Sequence, residues 1–170
     1  MALRNIKNCF DPVLRKQCEI VKNIDAELVR LSEDMVETTL AAPGIGLAAN
    51  QIGVPWRIFV VNLGLETESD NLVTLINPEI TAMEGSELGE EGCLSIPDVV
   101  AKVNRAAQVE IKAVDLNGKD VRHEATGYLA RALQHEMDHL NGILFWDSLG
   151  KIKRDILKRK FKKKLKEQGE

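Results

Sequence analysis

Two histidines four residues apart, with a glutamate beside the first, form the most chemically suggestive stretch of this 170-residue sequence. They are His135, Glu136 and His139 in "QHEMDHLNG". On a helix, residues at this spacing share one face, so both imidazoles can bind one cation. Glu136 would point toward the same site without acting as a ligand, which suits a general base for metal-activated water. Two surface histidines on a polar helix are the ordinary alternative.

A catalytic site of this kind needs a third protein ligand and an open fourth position. One metallopeptidase pattern has a third histidine six residues after His139, but this chain has Phe145 there. The glutamates farther along, Glu167 and Glu170, lie in the basic end of the chain and are unconvincing ligands. The third ligand is therefore expected upstream of the motif.

The upstream candidates are one histidine and three cysteines. His123 lies in a segment that alternates apolar and polar residues, and we expect it at the surface. Cys9 and Cys18 have no supporting motif, and such cysteines are most often small buried hydrophobes. An odd number of cysteines also argues against a disulfide framework.

Cys93 is the stronger candidate because it lies between glycines in "GEEGCLSIP". Gly89 and Gly92 permit a sharp bend and a close approach to another element, such as a helix packed on the strand. The predicted ligands are therefore Cys93, His135 and His139, with the fourth position open to water. A packed core cysteine is the alternative for Cys93.

Two helices are indicated by their caps and apolar periodicity. The metal motif lies in a helix predicted from about residue 127 to 141, with Thr126 as its cap and Gly142 as its stop. Asp25 is expected to cap the helix in "IDAELVRLSEDMVETTLAA". The glycine-rich "PGIGLAANQIG" that follows is predicted to be a loop.

The middle of the chain is rich in β-branched residues and predicts a series of strands. The segments "RIFVVN", "LVTLIN", "PEITAMEG", "VVAKVNR", "AQVEIKAVDL" and "VRHEAT" are each expected to form one strand. Asn117-Gly118 predicts a tight hairpin turn between the last two. The predicted fold class is α+β, with mostly antiparallel sheets around a central helix carrying the metal motif, in one domain spanning residues 1–170.

The charge is distributed unevenly along the chain. The net charge is −3, yet residues 151–170 hold ten lysines or arginines and three acids, which leaves 13 basic and 23 acidic residues in the remainder. This basic end predicts a C-terminal helix whose apolar side is Ile152, Ile156, Leu157, Phe161 and Leu165. Either a solvated helix face or contact with a polyanion such as RNA would account for the charge.

Nothing in the sequence predicts a membrane protein. No apolar run approaches the roughly 18 residues needed to cross a bilayer. The segment "MALRNIKNCF" lacks the apolar region of a secretory signal, so we expect a cytoplasmic protein.

Three motifs together resemble the signature of peptide deformylase. They are "GIGLAANQ" at residues 44–51, "EGCLS" at residues 91–95 and "QHEMDH" at residues 134–139. The likeness extends to "DPVLR", "INPEI", the Asn-Gly hairpin and the basic end, and so covers essentially the whole chain. Each motif alone is weak evidence, but their order and spacing are highly specific.

The resemblance implies an activity, namely removal of the N-formyl group from the N-terminal methionine of newly made polypeptides with release of formate. It implies that Glu136 is the general base and acid, that the Gln51 side chain stabilises the oxyanion, and that the Leu94 backbone N–H does so too. One such donor is worth about 10²–10³ in rate. The same resemblance assigns Cys93, His135 and His139 as metal ligands.

The resemblance also implies the residues that bind the substrate. Glycines let a peptide backbone pass close to the chain, which suits the first motif. Substrate binding is expected at Gly44, Ile45, Gly46, Gly92, Tyr128 and Ala132. Gly89, Val100 and Tyr128 differ from the residues common in this family, which predicts a differently shaped pocket and entrance around the same reaction.

A carboxylate and an arginine near Cys93 are expected to hold its loop. Glu91 and Arg105 could pair there, since partners around a metal site orient its ligands. An exposed pair of little energetic consequence is the alternative.

The resemblance further implies a cofactor and partners. One divalent ion per chain is expected, with iron(II) native and zinc, nickel or cobalt able to replace it in a purified sample. The expected partners are N-formylmethionyl nascent peptides and the ribosome, reached through the basic helix of residues 151–170. No membrane or DNA partner is expected.

Two other functions use some of the same features. An endopeptidase would use the same two histidines, but the downstream ligand typical of that class is missing. A non-catalytic RNA- or ribosome-binding protein with a structural metal would explain the basic end. Structural zinc sites normally have four protein ligands. The predicted site has an open fourth position with Glu136 beside it, which argues against a structural metal.

Overall fold

The computed structural model describes residues 2–64 and 71–169 of the chain. Glu170, considered above as a ligand, lies outside them. Its helices are α1 (Ala26–Ala41), α2 (Gly127–Leu140) and α3 (Lys151–Glu167). Its strands are β1 (Gly46–Ala48), β2 (Ile58–Asn62), β3 (Leu72–Glu84), β4 (Glu87–Cys93), β5 (Ile96–Arg105), β6 (Gln108–Val114) and β7 (Asp120–Thr126).

The strands form two antiparallel sheets. Five of them make one sheet in the order β1-β2-β3-β6-β7, and β4 pairs with β5 in a separate two-stranded sheet. The predicted α+β class is confirmed. The small sheet carries Cys93 at the end of β4 and joins the histidine-bearing helix only through packing and polar contacts.

The five-stranded sheet is covered by a helix on each face. Along β2, Phe59 and Val61 pack in the core with residues of α2, whereas Ile58 and Val60 pack in the core with residues of α1. Alternate residues of a strand face opposite sides, so this division follows from the pleat. The sheet therefore lies between α1 and α2.

Local signals predicted the helix ends closely. Asp25 caps α1 by accepting a hydrogen bond from the Leu28 N–H at 3.0 Å. Thr126 precedes α2 but makes no capping hydrogen bond with its side chain. At the other end Gly142 has a φ of +74°, and a Cβ there would meet the Arg15 carbonyl oxygen at 2.6 Å. Only glycine combines that backbone conformation with that contact.

Two strand predictions needed correction. The segments "LVTLIN" and "PEITAMEG" form one strand, β3, whose register shifts after Ile76. Asn77 has a φ of +49° there, and its side chain exchanges two hydrogen bonds with the backbone of Val21. Pro78 cannot donate to the ladder, which the shift accommodates.

The glycine-rich segment after α1 is also more ordered than a loop. Residues Gly46–Ala48 form β1 and pair with β2, and Ala49–Ile52 form a short 3₁₀ helix. The pairing places this segment at the edge of the large sheet, beside α2.

The apolar side of α3 is narrower than predicted. Phe161 is 2% exposed and packs with Trp146 and Phe145, and Leu157 and Leu165 lie against the same cluster. Ile152 and Ile156, in contrast, are 79% and 43% exposed. The first turns of α3 extend beyond the core that its later turns cover.

Candidate metal centre

Three side chains from two distant parts of the chain converge. The Cys93 sulfur lies 3.3 Å from His139 Nε2, which lies 3.2 Å from His135 Nε2. Among residues 2–64 and 71–169, these three side chains are the one group of histidine, cysteine or acidic residues close enough together to hold a metal ion. The cysteine comes from the end of β4 and the histidines from successive turns of α2.

The donor atoms fit a tetrahedral cation with one open position. Nitrogen and sulfur ligands at about 2.0–2.3 Å from such an ion lie roughly 3.3–3.6 Å from each other, close to the separations found. Burial lowers the pKa of His139, and nearby His135 lowers it further, which favours the neutral, metal-binding imidazole. Burial would also lower the pKa of His135, but hydrogen bonds to Cys93 and Glu91 raise it, so the cluster favours a positive charge.

Glu136 lies beside this cluster with an unusual carboxyl group. The residue is 5% exposed, and its Oε2 has no hydrogen-bond partner within the described part of the chain. Burial raises the pKa of Glu136 to about 7. A carboxylate with a pKa near neutrality can accept and return a proton at working pH.

Glycine at position 46 leaves room for that carboxyl group. A Cβ on Gly46 would lie 2.9 Å from Glu136 Oε1, and one on Gly44 would lie 3.1 Å from the Leu94 side chain. Either approach is closer than side chains normally allow. Both glycines of this motif therefore serve close packing at the site.

A buried network of charges holds the first histidine. Glu91 accepts two hydrogen bonds from Arg105, at 2.7 and 2.8 Å, and its Oε1 lies 2.9 Å from His135 Nδ1. Glu91 and Arg105 have side chains only 4% and 10% exposed, which excludes the exposed-pair alternative. A carboxylate on Nδ1 leaves Nε2 facing the cluster, the arrangement common for metal-binding histidines.

Two members of this network were missed from the sequence. Arg131 donates to Glu91 Oε2 at 2.9 Å, and Asp138 accepts from Arg105 at 2.6 Å. They lie four residues before and three residues after His135, so helical spacing puts them on its face of α2. That spacing was the signal available in the sequence.

The Glu91 network should make the stability of the metal-free protein depend on pH. Burial would raise the pKa of Glu91, but hydrogen bonds from Arg105 and His135 lower it from 4.5 to about 2. The stabilisation that ionised Glu91 provides is present above pH 4.5, and it is lost as Glu91 becomes protonated when the pH falls toward 2. Wild type should thus lose about 3 kcal/mol more unfolding free energy over that range than Glu91→Gln.

Urea unfolding at pH 6, 4.5, 3 and 2 measures this difference. Glu110→Gln is the matched control, because it removes a carboxylate from a more exposed pair with Arg122. Parallel losses of stability in wild type and Glu91→Gln would show that Glu91 is not held as its contacts indicate.

Gln51 is buried with its amide aimed at the cluster. Its Oε1 accepts from the Ala48 N–H at 2.9 Å, which fixes the direction of the amide. Its Nε2 then lies 3.2 Å from Ser95 Oγ and 3.7 Å from the Cys93 sulfur. The donor is thereby held beside the thiol.

The rejected ligand candidates lie elsewhere. His123 is half-buried on β7 opposite Ile111 rather than fully exposed, and it is not part of the cluster. Cys9 and Cys18 are buried, and burial raises the pKa of their thiols to about 12 and about 11, so they behave as apolar residues. Phe145 stacks on the His135 ring, with ring centroids 6.2 Å apart.

A cleft of about 670 Å³ opens onto the cluster. Its lining includes Cys93, His135 and Glu136, and also Tyr128, which is 58% exposed. The remaining residues expected to contact substrate also line it: Gly44, Ile45, Gly46, Gln51, Gly92, Leu94 and Ala132. The cleft therefore brings together residues from all three sequence motifs.

A buried carboxyl group beside a Cys-His₂ cluster that adjoins an open cleft is the arrangement expected of the metal-dependent hydrolases as a class. A sequence model of the polypeptide deformylase family matches residues 3–155. A peptide deformylase of Syntrophobacter fumaroxidans is 50% identical over 167 residues, covering 98% of each chain.

Solved structures agree with the sequence relatives. A peptide deformylase from Legionella pneumophila superimposes with a TM-score of 0.93 at 40% identity, covering 99% of this chain and 98% of that one. The Ehrlichia chaffeensis enzyme in complex with actinonin has a TM-score of 0.89 at 38% identity, with 96% and 98% covered. The chain belongs to the peptide deformylase family, which confirms the resemblance and the expected hydrolase activity.

No helix in the described ranges is both long and apolar enough to cross a membrane.

Proposed function

We propose that this enzyme removes the formyl group from the N-terminal methionine of newly made polypeptides and releases formate. The observation that carries the proposal is the buried Glu136 carboxyl group beside the converging Cys93, His135 and His139, next to an open cleft. Nascent chains would supply this substrate in the cytoplasm.

Cys93, His135 and His139 are proposed to hold one divalent ion. When bound, it supplies Lewis-acid activation of water and of the formyl carbonyl. A Cys-His₂ donor set accepts several divalent metals, and raw affinity ranks zinc above iron(II). We propose iron(II) as the native ion, with zinc, nickel or cobalt in some preparations, and metal analysis of protein purified with and without oxygen tests this.

The proposed role of Glu136 is to move one proton twice. Its carboxylate accepts a proton from the attacking water and then delivers it to the departing amine. A pKa of about 7 suits both steps, because the carboxylate form exists at neutral pH and the acid form is accessible. The unpartnered Oε2 leaves the group able to face water or substrate.

Gln51 and Leu94 are proposed to stabilise the negative charge that develops on the formyl oxygen. The Gln51 amide is fixed through Ala48, so its Nε2 is already aimed at the reacting region before substrate binds. The Leu94 backbone N–H is proposed as the second donor. Donors held in place beforehand stabilise developing charge without reorganising.

The cleft is proposed to bind an extended peptide with its methionine side chain inside. Ala132 is small and buried, which leaves space on the α2 side for an unbranched side chain. Tyr128 would border the opening toward the rest of the peptide. The proposed substrate-contacting residues are Gly44, Ile45, Gly46, Gly92, Tyr128 and Ala132.

A formate-release assay on anaerobically prepared protein tests the proposed function. A tripeptide that begins with formyl-Met should release one formate per peptide. A longer unformylated peptide that contains the same three residues internally should stay intact. Cleavage of internal bonds with no formate release would instead identify an endopeptidase.

We also propose that residues 1–170 act as a single domain whose basic helix α3 contacts the ribosome near the emerging chain. Phe161 anchors α3 in the core, so deleting the helix would test folding as well as binding. The double reversal Arg159→Glu and Lys163→Glu changes only exposed charges.

This reversal should weaken binding to 70S ribosomes at least several-fold, with a steep dependence on salt, because basic contacts to RNA phosphates release counterions. Turnover of a formyl tripeptide should stay at the wild-type level. Lys22→Glu with Lys119→Glu, two exposed charges outside α3, is the control. Equal ribosome affinity in both double variants would contradict the proposal.

A further inference from the structure

Arg131 is a buried cation that the proposed reaction does not use. It lies on α2 one turn before His135, and its side chain is only 8% exposed. An arginine stays charged at any working pH, so a buried guanidinium must be matched by acceptors. In this chain those acceptors all belong to β4 and β5, the small sheet that carries Cys93.

The contacts of Arg131 span both strands of that sheet. Its Nη1 donates to Glu91 Oε2 at 2.9 Å and to the Val103 carbonyl at 2.7 Å. Its Nη2 donates to the Glu87 carbonyl at 2.8 Å, and Nη1 also lies 3.3 Å from the Gly89 carbonyl. One planar side chain therefore fixes the position of α2 relative to the strands at four points.

Arg131 also acts on His135 through Glu91. The two oxygens of the Glu91 carboxylate divide these contacts, since Oε2 accepts from Arg131 and Oε1 lies 2.9 Å from His135 Nδ1. We infer that Arg131 is a positioning residue, which sets the orientation of His135 and its distance from Cys93 by clamping Glu91 and β4 onto α2. Arg105 holds the same carboxylate from β5 and reaches α2 through the Asp138 side chain, whereas Arg131 is itself a residue of α2 and joins Glu91 to that helix directly.

The residue at position 89 supports this inference independently. A Cβ on Gly89 would lie 2.9 Å from Nη2, 3.0 Å from Cζ and 3.1 Å from Nε of Arg131. The guanidinium thus occupies the space that a side chain on β4 would take. The φ of Gly89 is not in the left-handed region, so contact with Arg131, rather than backbone conformation, accounts for glycine here.

The inference rests on the proposed metal site, and its test uses metal binding rather than turnover. Metal-free protein is titrated with cobalt(II), while the thiolate charge-transfer band and the visible ligand-field bands are recorded. Arg131→Met should weaken cobalt binding about 10- to 100-fold and shift the visible bands, the range found when partners of metal-binding histidines are removed. Arg131→Lys should recover part of this loss, because an ammonium keeps the charge beside Glu91 but cannot reach all four acceptors.

Arg122→Met is the matched control, since Arg122 pairs with Glu110 on the surface with its side chain 67% exposed. It should bind cobalt as wild type does. The inference is overturned if Arg131→Met lowers the melting temperature while its cobalt affinity and spectrum equal those of wild type, because the arginine would then be only a structural brace. If wild-type protein shows no thiolate band, the proposed metal site itself fails.

A second variant covers the case in which Arg131→Met does not fold. Gly89→Ala keeps Arg131 but adds a methyl group on β4, which should displace the Arg131 guanidinium by a few tenths of an ångström. It should shift the visible bands in the same direction with a smaller loss of affinity. Wild-type cobalt spectra and affinities in both Gly89→Ala and Arg131→Lys would equally overturn the inference.

Discussion

Replacing Glu136 with alanine should lower formate release from a formyl-Met peptide by about 10²–10⁴-fold, the usual contribution of general acid–base catalysis. The ligand atoms of Cys93, His135 and His139 are untouched by this change, so metal content should stay near one ion per chain. Initial rates and metal analysis on the same samples measure the two effects separately.

Glu136→Gln is the matched variant, because it keeps the volume of the buried side chain and removes only the proton transfer. The pKa of about 7 adds a further expectation for wild type. The carboxylate is the active form and a bound dication would lower its pKa, so kcat/KM should fall as the pH drops below 7. A Glu136→Ala enzyme with full activity and bound metal would refute the proposed mechanism.

Replacing Gln51 with glutamate should lower kcat about 10²–10³-fold with little change in KM, because it removes a donor to the developing oxyanion. The substitution keeps an oxygen for the Ala48 N–H, which holds the side chain in place. A glutamate at position 51 could still donate a hydrogen bond if its carboxyl group were protonated. Gln51→Leu has no donor in any protonation state. Agreement between the two variants assigns the loss to the donor.

Ser95→Ala is the control for this prediction. It removes the hydroxyl that lies 3.2 Å from Gln51 Nε2 but leaves the amide donor available to substrate. Its kcat should change far less than that of the Gln51 variants. If Gln51→Glu and Gln51→Leu both keep the wild-type kcat, Gln51 stabilises no charge in the transition state.

Features that depend only on residues close together in the chain could be predicted from the sequence. The spacing of His135 and His139 needs only a helix to bring their side chains together, and capping and glycine signals located that helix to within a residue. The Asn117-Gly118 turn and the alternating strands are local in the same sense. The glycines around Cys93 pointed to the third ligand, and the family resemblance then pointed to the substrate-binding residues. The fold brings these residues together in space.

Features that depend on contacts between distant segments were decided only by the tertiary structure. The pairing of Glu91 with Arg105 was predicted, but nothing in the local sequences indicates that His135, 44 residues away, and Arg131 contact the same carboxylate. The raised pKa of Glu136 likewise comes from burial, which the assembled core supplies.

The same distinction explains the predictions that were wrong. Helical periodicity assigned Ile152 and Ile156 to the apolar side of α3, but the underlying core ends before those turns. Periodicity reports which residues share a face and is silent on what lies beneath it. The sequence by itself thus determined the helix, its two histidines and the family. The distances, burial and charge partners that make those residues a site came from packing, because they depend on where separate elements meet.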